Sequence, residues 1–155
     1  MEKTPEEVVR ALLDVVGTKR PIGAAKALLQ EGLVCHMDGK RLSASREAWF
    51  CWVGYLHRTA KKRVSRLELV LDRVKARGDR VEVWAFWQGE VDGRFERSRP
   101  GKVVYRVSRG RVAEIWTHKA NYTFIYGPWV VNPLVFYFWV LRMMLWCKIS
   151  RNVSG

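Results

Sequence analysis

Residues 67–88 read LELVLDRVKARGDRVEVWAFWQ, and their alternation decides what kind of chain this is. Leu67, Leu69 and Leu71 alternate with Glu68, Val70 and Asp72; Val81, Val83, Ala85 and Trp87 alternate with Glu82, Trp84, Phe86 and Gln88. A period of two sends successive side chains to opposite faces of a sheet. Gly78-Asp79 between the two runs supplies a tight turn, so the pair reads as an antiparallel hairpin. After a polar stretch over 89–101, the alternation resumes at Val103, Tyr105 and Val107. Arg109-Gly110 then turns the chain into a last strand over about 111–119. Long consecutive strands joined by short turns predict a curled antiparallel sheet.

Upstream of this sheet the period is helical. Thr4 is placed to cap a helix, Pro5 suits its first position, and Glu7 completes a capping box. Val8, Val9, Leu12, Leu13 and Val16 form one apolar face, and Gly17 is placed to end the helix. Pro21 opens a second short helix with Ile22, Ala25, Leu28 and Leu29 inward and Gly32 as its stop. Residues 33–37, the Asp38-Gly39 pair and residues 40–42 predict a small hairpin. Ser45 caps a third helix over about 46–59, with Trp49, Trp52, Val53 and Leu56 on one side. Three helices followed by a meandering sheet make an α+β chain, a cone-shaped α+β barrel with helices packed in the concave face around a pocket.

Composition narrows the function classes. The chain has 155 residues, 48% hydrophobic and 28% charged, which suits a folded domain and excludes disorder. The net charge of +13, from 28 Lys+Arg against 15 Asp+Glu, favours an anionic partner. Basic residues cluster at Lys61-Lys62-Arg63, at Arg73, Lys75 and Arg77, at Arg94, Arg97, Arg99 and Lys102, and at Arg106, Arg109 and Arg111. No recognition helix or base-stacking motif accompanies them, which argues against nucleic acid. Cys35, Cys51 and Cys147 are an odd set without a CxxC pair, so neither a disulfide framework nor a zinc site is expected. Free thiols imply a reducing compartment. No phosphate loop, nucleophile elbow or HExxH occurs, and no cofactor or metal is expected. The opening MEKTPEEVVR lacks the features of a targeting segment.

The helix pair, LVCHMDGKRLSASREAW (33–49), GDRVEVWAFW (78–87) and above all SRGRVAEIWTHKANY (108–122) resemble the nuclear transport factor 2-like superfamily. Within it they are similar to the SnoaL-like, polyketide-cyclase-like group, over residues 6–126. The last stretch resembles that group's closing hairpin, in which a Gly turn leads to an apolar-x-Glu-x-Trp strand. The resemblance implies a curved sheet wrapped on helices around a pocket. It also implies either enzymes (isomerases, cyclases, dehydratases, epoxide hydrolases) or non-catalytic binding and scaffold domains. In SnoaL-like cyclases an acid-base Asp follows the last-strand Trp by a few residues. Here Trp116 is followed by Thr117, His118, Lys119, Ala120 and Asn121, with no carboxylate. His118 has the intrinsic pKa to stand in for it, with Glu114 as a diagonal partner on the same strand face. His36 and Asp38, near the pocket mouth by the resemblance, complete the candidate proton carriers, although Asp38 before Gly39 is also an ordinary turn residue. Tyr55, Trp84 or Trp87, Tyr105 and Trp116 are the candidate pocket aromatics.

Residues 129–147 read WVVNPLVFYFWVLRMMLWC, with Arg142 their only charge and no acidic residue anywhere after Glu114. A helix from 134 to about 149 would span roughly 24 Å, short of the ~30 Å hydrocarbon core of a bilayer. It is apolar all round, which an ordinary surface helix is not, and Arg142 would be costly within lipid. The sequence therefore divides at 127/128 into a domain and a docking extension. Trp129, Tyr137, Trp139 and Trp146 are suited to the interface and Lys148 and Arg151 to anionic headgroups, with Arg142 among the docking residues. Burial over the mouth of the cone, or in a homodimer, is the competing role. The reading that follows is a non-catalytic accessory subunit on a membrane surface or membrane-protein complex, with a mitochondrial or bacterial inner-membrane setting implied by resemblance. The alternative is a SnoaL-like isomerase, cyclase or hydrolase working by acid-base chemistry on a hydrophobic polycyclic or terpenoid molecule.

Overall fold

The computed structural model describes residues 3–43, 45–126, 132, 134, 138, 140–143, 145 and 146. Helix α1 (Pro5–Val16) begins with the expected capping box: the Thr4 amide donates to Glu7 Oε2 at 2.7 Å, and the Glu7 amide donates to Thr4 Oγ1 at 3.3 Å. Its buried face is Val8, Val9, Leu12, Leu13 and Val15, with Val16 half-buried beside them. The second helix is shorter than its periodicity predicts. A 3-10 turn covers Ile22–Ala27, and Leu29 already begins strand β1 (Leu29–Met37). Pairing with a distant strand captures this segment: the Val112 amide donates to the Leu28 carbonyl at 2.8 Å, and Leu29 lies opposite Val112. Leu28 and Leu29 stay buried, so their apolar character served a strand and not a helix.

Strand β2 (Lys40–Ser43) returns from the Asp38-Gly39 turn, where both residues have positive φ. Helix α2 (Arg46–Arg63), capped by Ser45 Oγ on the Ala48 amide, runs past the expected end near Thr59 and passes directly into β3 (Val64–Arg77). Lys61, Lys62 and Arg63 in its last turn suit the negative end of the helix dipole. Strand β4 (Arg80–Val91) follows. The polar stretch expected as a simple connection holds a further strand, β5 (Arg94–Arg97), folded back on β4 through the Asp92-Gly93 turn. Strands β6 (Gly101–Ser108) and β7 (Arg111–Thr117) form the closing hairpin, followed by a 3-10 turn (Lys119–Tyr122) and the short helix α3 (Thr123–Tyr126).

The sheet runs β2-β1-β7-β6-β4-β3, with β5 also on β4. It is curved as expected, but it is mixed: β1 pairs with β7 in parallel, with His36 opposite Trp116 and Met37 opposite Thr117. Local alternation carries no information about a pairing between such distant segments, which is why an all-antiparallel sheet was expected. Two irregularities in the β3–β4 ladder, between Ser65 and Glu68 and between Leu71 and Arg73, bend the sheet. The second reverses the parity, so that Leu71 and Val74 both face the core, while Arg73 turns outward onto the Trp84 ring at 4.0 Å. The inner face, α1 and α2 enclose one core whose most buried large side chains include Leu12, Leu29, Leu33, Leu56 and Ile125. Ring nitrogen Nε2 of His57 bonds the Val16 carbonyl at 2.8 Å and ties α2 to the end of α1.

Of the C-terminal segment, residues 134, 138, 140–143, 145 and 146 are helical. Met143 is buried in the same core, and Val140 and Trp146 pack against it. Trp129, Tyr137, Trp139, Lys148, Arg151 and the proposed boundary at 127/128 lie outside the described residues. Among the described residues, no helix is long and apolar enough to cross a membrane.

Two outcomes follow from this packing. A Cβ on Gly89 would lie 2.5 Å from Val64 Cγ1 and 2.9 Å from the Ser65 carbonyl oxygen. Gly89→Ala should therefore cost about 2 kcal/mol, the usual range for overpacking, measured by denaturant unfolding. Burial holds His57 below its ordinary pKa of 6.5 despite the Val16 bond. The unfolded chain takes up the proton first as pH falls, so the stabilising contribution is complete above 6.5 and declines as pH drops below it. His57→Gln should flatten that part of the stability–pH curve.

Candidate functional site

Alternation along β4 and β6 brings Val83, Ala85, Trp87, Val103 and Tyr105 to the concave face, where α1 adds Leu13 and Val16. Together they line a cavity of about 60 Å³. A second chamber of about 40 Å³ lies against α2, lined by Trp49, Trp52 and Leu56. Tyr105 and Tyr122 line both chambers and stand between them. At the other end Ser98, Arg99 and Asn121 line both the larger cavity and an open depression of about 550 Å³. The interior is thus a narrow apolar channel that leads from a polar vestibule past two phenols.

Local bonds hold this channel in shape. The Ser98 amide donates to the Trp87 carbonyl at 2.8 Å, and Ser98 Oγ accepts from the Trp87 amide at 2.9 Å. Asn121 Nδ2 donates to the Lys102 carbonyl at 3.2 Å and to Thr117 Oγ1 at 3.1 Å. Thr117 Oγ1 in turn lies 3.4 Å from the Tyr122 hydroxyl. The Asn121 carboxamide fits against the bare backbone of Gly101, where any Cβ would overlap it. Desolvation pushes the Tyr105 phenol far above its ordinary value, and likewise Tyr122, where the Thr117 bond opposes the shift in part. Both remain protonated donors throughout the working pH range.

The candidate proton carriers lie elsewhere and in different pairs. Glu114 accepts from Arg106 at 2.6 Å and lies 3.6 Å from His36 Nε2. The His36 ring stacks on Trp116 at 5.2 Å and 5°, and the Arg80 guanidinium covers the same Trp at 5.6 Å. All belong to the outer sheet face, because Cys35, Ile115 and Tyr105, adjacent in sequence, are the buried partners inside. His118, 66% exposed, meets Asp38 at 3.2 Å, and Lys119 contacts the same carboxylate through both its amide and its Nζ. The expected Glu114–His118 contact is replaced by two pairs that each cross from β7 to the β1 side. The parallel register of β1 against β7 causes this, since it sets His36 and Asp38 beside that strand. Of the candidate pocket aromatics, Trp87 and Tyr105 line the cavity, Trp116 lies on the outer face, and Tyr55 packs edge-on against Trp146 at 5.8 Å. Tyr122, Asn121, Thr117 and Ser98 were not singled out from the sequence, and Arg99 was named only as part of a basic cluster. Asn121 and Tyr122 lie in the quoted stretch 108–122, but the 3-10 turn that swings them back over the cone has no periodic signal.

No protein-family model and no curated protein matches the chain. Solved structures do. A loop-truncation variant of IdmH from Streptomyces antibioticus superposes with a TM-score of 0.63 at 18% identity, over 74% of this chain and 91% of that one. A SnoaL-like protein from Jannaschia gives 0.58 at 18% identity, over 72% and 82%. An LEH-like epoxide hydrolase of M. tuberculosis gives 0.56 at 18% identity, over 79% and 89%. These likenesses are ones of fold, and they agree with the element order, the curved sheet and the concave cavity: the chain has the nuclear transport factor 2-like fold.

Proposed function

We propose that the chain binds a hydrophobic small molecule carrying an acceptor oxygen, and acts on it as an isomerase, cyclase or hydrolase of the SnoaL-like kind. One observation carries this reading: Tyr105 and Tyr122 line both chambers of a mainly apolar interior and stay protonated, and the Tyr122 hydroxyl ends a hydrogen-bonded line from Asn121 through Thr117. A phenol aimed at a carbonyl or epoxide oxygen stabilises the negative charge that develops there. Among the described residues no carboxylate or imidazole lines either chamber, so polarisation of the oxygen by Tyr105 and Tyr122 is the chemistry best supported, ahead of proton abstraction by Glu114 or His118. The likeness to an epoxide hydrolase and to SnoaL-like proteins supports the same class of substrate.

Size sets the ligand. Chambers of about 60 and 40 Å³ are far below the ~300 Å³ of an ordinary ligand site. A slender apolar group enters the cone with its oxygen at the phenols, while bulkier parts remain in the vestibule by Arg63 and Arg99. A complete polycyclic skeleton does not fit within the chambers.

The test is a panel of linear and monocyclic ketones, aldehydes and epoxides, each with a hydrocarbon analogue, scored by thermal shift and calorimetry. The oxygenated members should bind about tenfold more tightly than their analogues, the value of one buried hydrogen bond. Tyr105→Phe and Asn121→Ala should remove most of that preference, while Glu114→Gln and His118→Ala leave it unchanged. If no member binds, or if Glu114→Gln abolishes binding and Tyr105→Phe does not, the reading is wrong.

A further inference from the structure

The described part of the C-terminal helix has two opposite faces. Met143 is buried in the domain core, Val140 and Trp146 pack on it, and the Trp146 ring meets Tyr55 and lies under the Arg58 guanidinium at 5.1 Å. Leu134, Phe138, Leu141 and Leu145 are 81%, 70%, 60% and 60% exposed. Their spacing of four, three and four sets them along one line of a helix, and at roughly 100° per residue that line lies opposite Val140, Met143 and Trp146. Among the described residues, Phe95 is the one other large hydrophobic side chain so exposed. A contiguous apolar ridge of this kind marks an interaction surface.

The charges around the ridge select its occupant. Arg142 is exposed beside it, Arg58 sits against Trp146, and Lys61 and Lys62 are exposed in the last turn of α2, the helix on which Trp146 packs. No Asp or Glu follows Glu114 in the sequence to offset them. A second copy of the chain, bound about a two-fold axis, would bring these cations against one another, because such an interface uses the same patch on both sides. We propose that the ridge docks on an anionic phospholipid bilayer, with the helix lying in the headgroup plane, its leucines and Phe138 in the acyl boundary and Arg142 among the phosphates. The helix does not cross the bilayer. This inference uses none of the channel residues and stands or falls independently of the ligand reading.

Flotation of the full-length chain tests it, with vesicles of phosphatidylcholine and phosphatidylglycerol in equal parts against phosphatidylcholine alone. Binding to the mixed vesicles should exceed binding to the neutral ones by about tenfold at low salt, and the difference should shrink at high salt. A Phe138→Ser/Leu141→Ser double variant alters exposed positions alone, so it should keep the wild-type circular dichroism spectrum and unfolding midpoint. It should lose vesicle binding by about tenfold or more. Arg142→Ala should weaken binding to the mixed vesicles and leave the neutral ones unchanged. Failure of the folded wild-type chain to float with the mixed vesicles overturns the proposal. So does a dimer in sedimentation that the double variant converts to monomer, which would assign the ridge to a second copy.

Discussion

The parallel pairing of β1 with β7 is the contact on which the rest of the structure depends. It joins the N-terminal hairpin to the closing strand, so that the sheet wraps round the helices as a cone. It draws Leu29 out of a helix and into a strand. Through its register it also decides which ionisable groups meet: His36 with Glu114, and Asp38 with His118. A shift of that register by one residue would turn Cys35 and Met37, both buried, to the outside and bring His36 into the core. The burial of those two side chains therefore fixes the pairing that keeps the charged groups out of the cone.

That separation gives the two faces of the sheet different chemistry. The inner face is mainly apolar and narrow, with the phenols of Tyr105 and Tyr122 in its walls and Ser98, Arg99 and Asn121 at one end. The outer face carries the charge, much of it laid over aromatic rings. Trp84 lies between Arg73 at 4.0 Å and Lys102 at 5.1 Å, and the Arg97 guanidinium is 3.5 Å from the centre of the Phe86 ring. Such contacts shield aromatic surface on the open side of a sheet and hold part of the basic excess in place. Arg73, Arg97 and Lys102 thus have a place in the construction of the sheet as well as a charge.

The C-terminal segment resolves its own paradox by facing two ways. A helix apolar all round has no water-facing side, and here one side is taken by the domain itself through Val140, Met143 and Trp146. The other side remains uncovered in the isolated chain. Folding back on α2 therefore leaves a second face for the docking proposed above, so the two roles that the sequence reading set against each other are compatible.

By itself the sequence determined the elements whose causes are local. The Thr4–Glu7 capping box, the Asp38-Gly39 and Arg109-Gly110 turns, and the period-two runs of β3, β4, β6 and β7 all follow from neighbouring residues. Trp87 and Tyr105 were legible as channel residues for the same reason, since each lies on the consistently apolar side of its strand. Alternation, however, states that a strand has two faces, and where both carry aromatics it does not state which one turns inward. Trp116 looked like a pocket residue and lies outside, because the parity of β7 is set by Ile115 meeting Tyr105 and Cys35. Only the tertiary structure could decide that, along with the parallel register and the parity change between Leu71 and Arg73. It also alone decided the placing of Asn121 and Tyr122 in the channel. Each of these depends on contacts between residues far apart in the chain, and such contacts leave no periodic mark on the residues that make them.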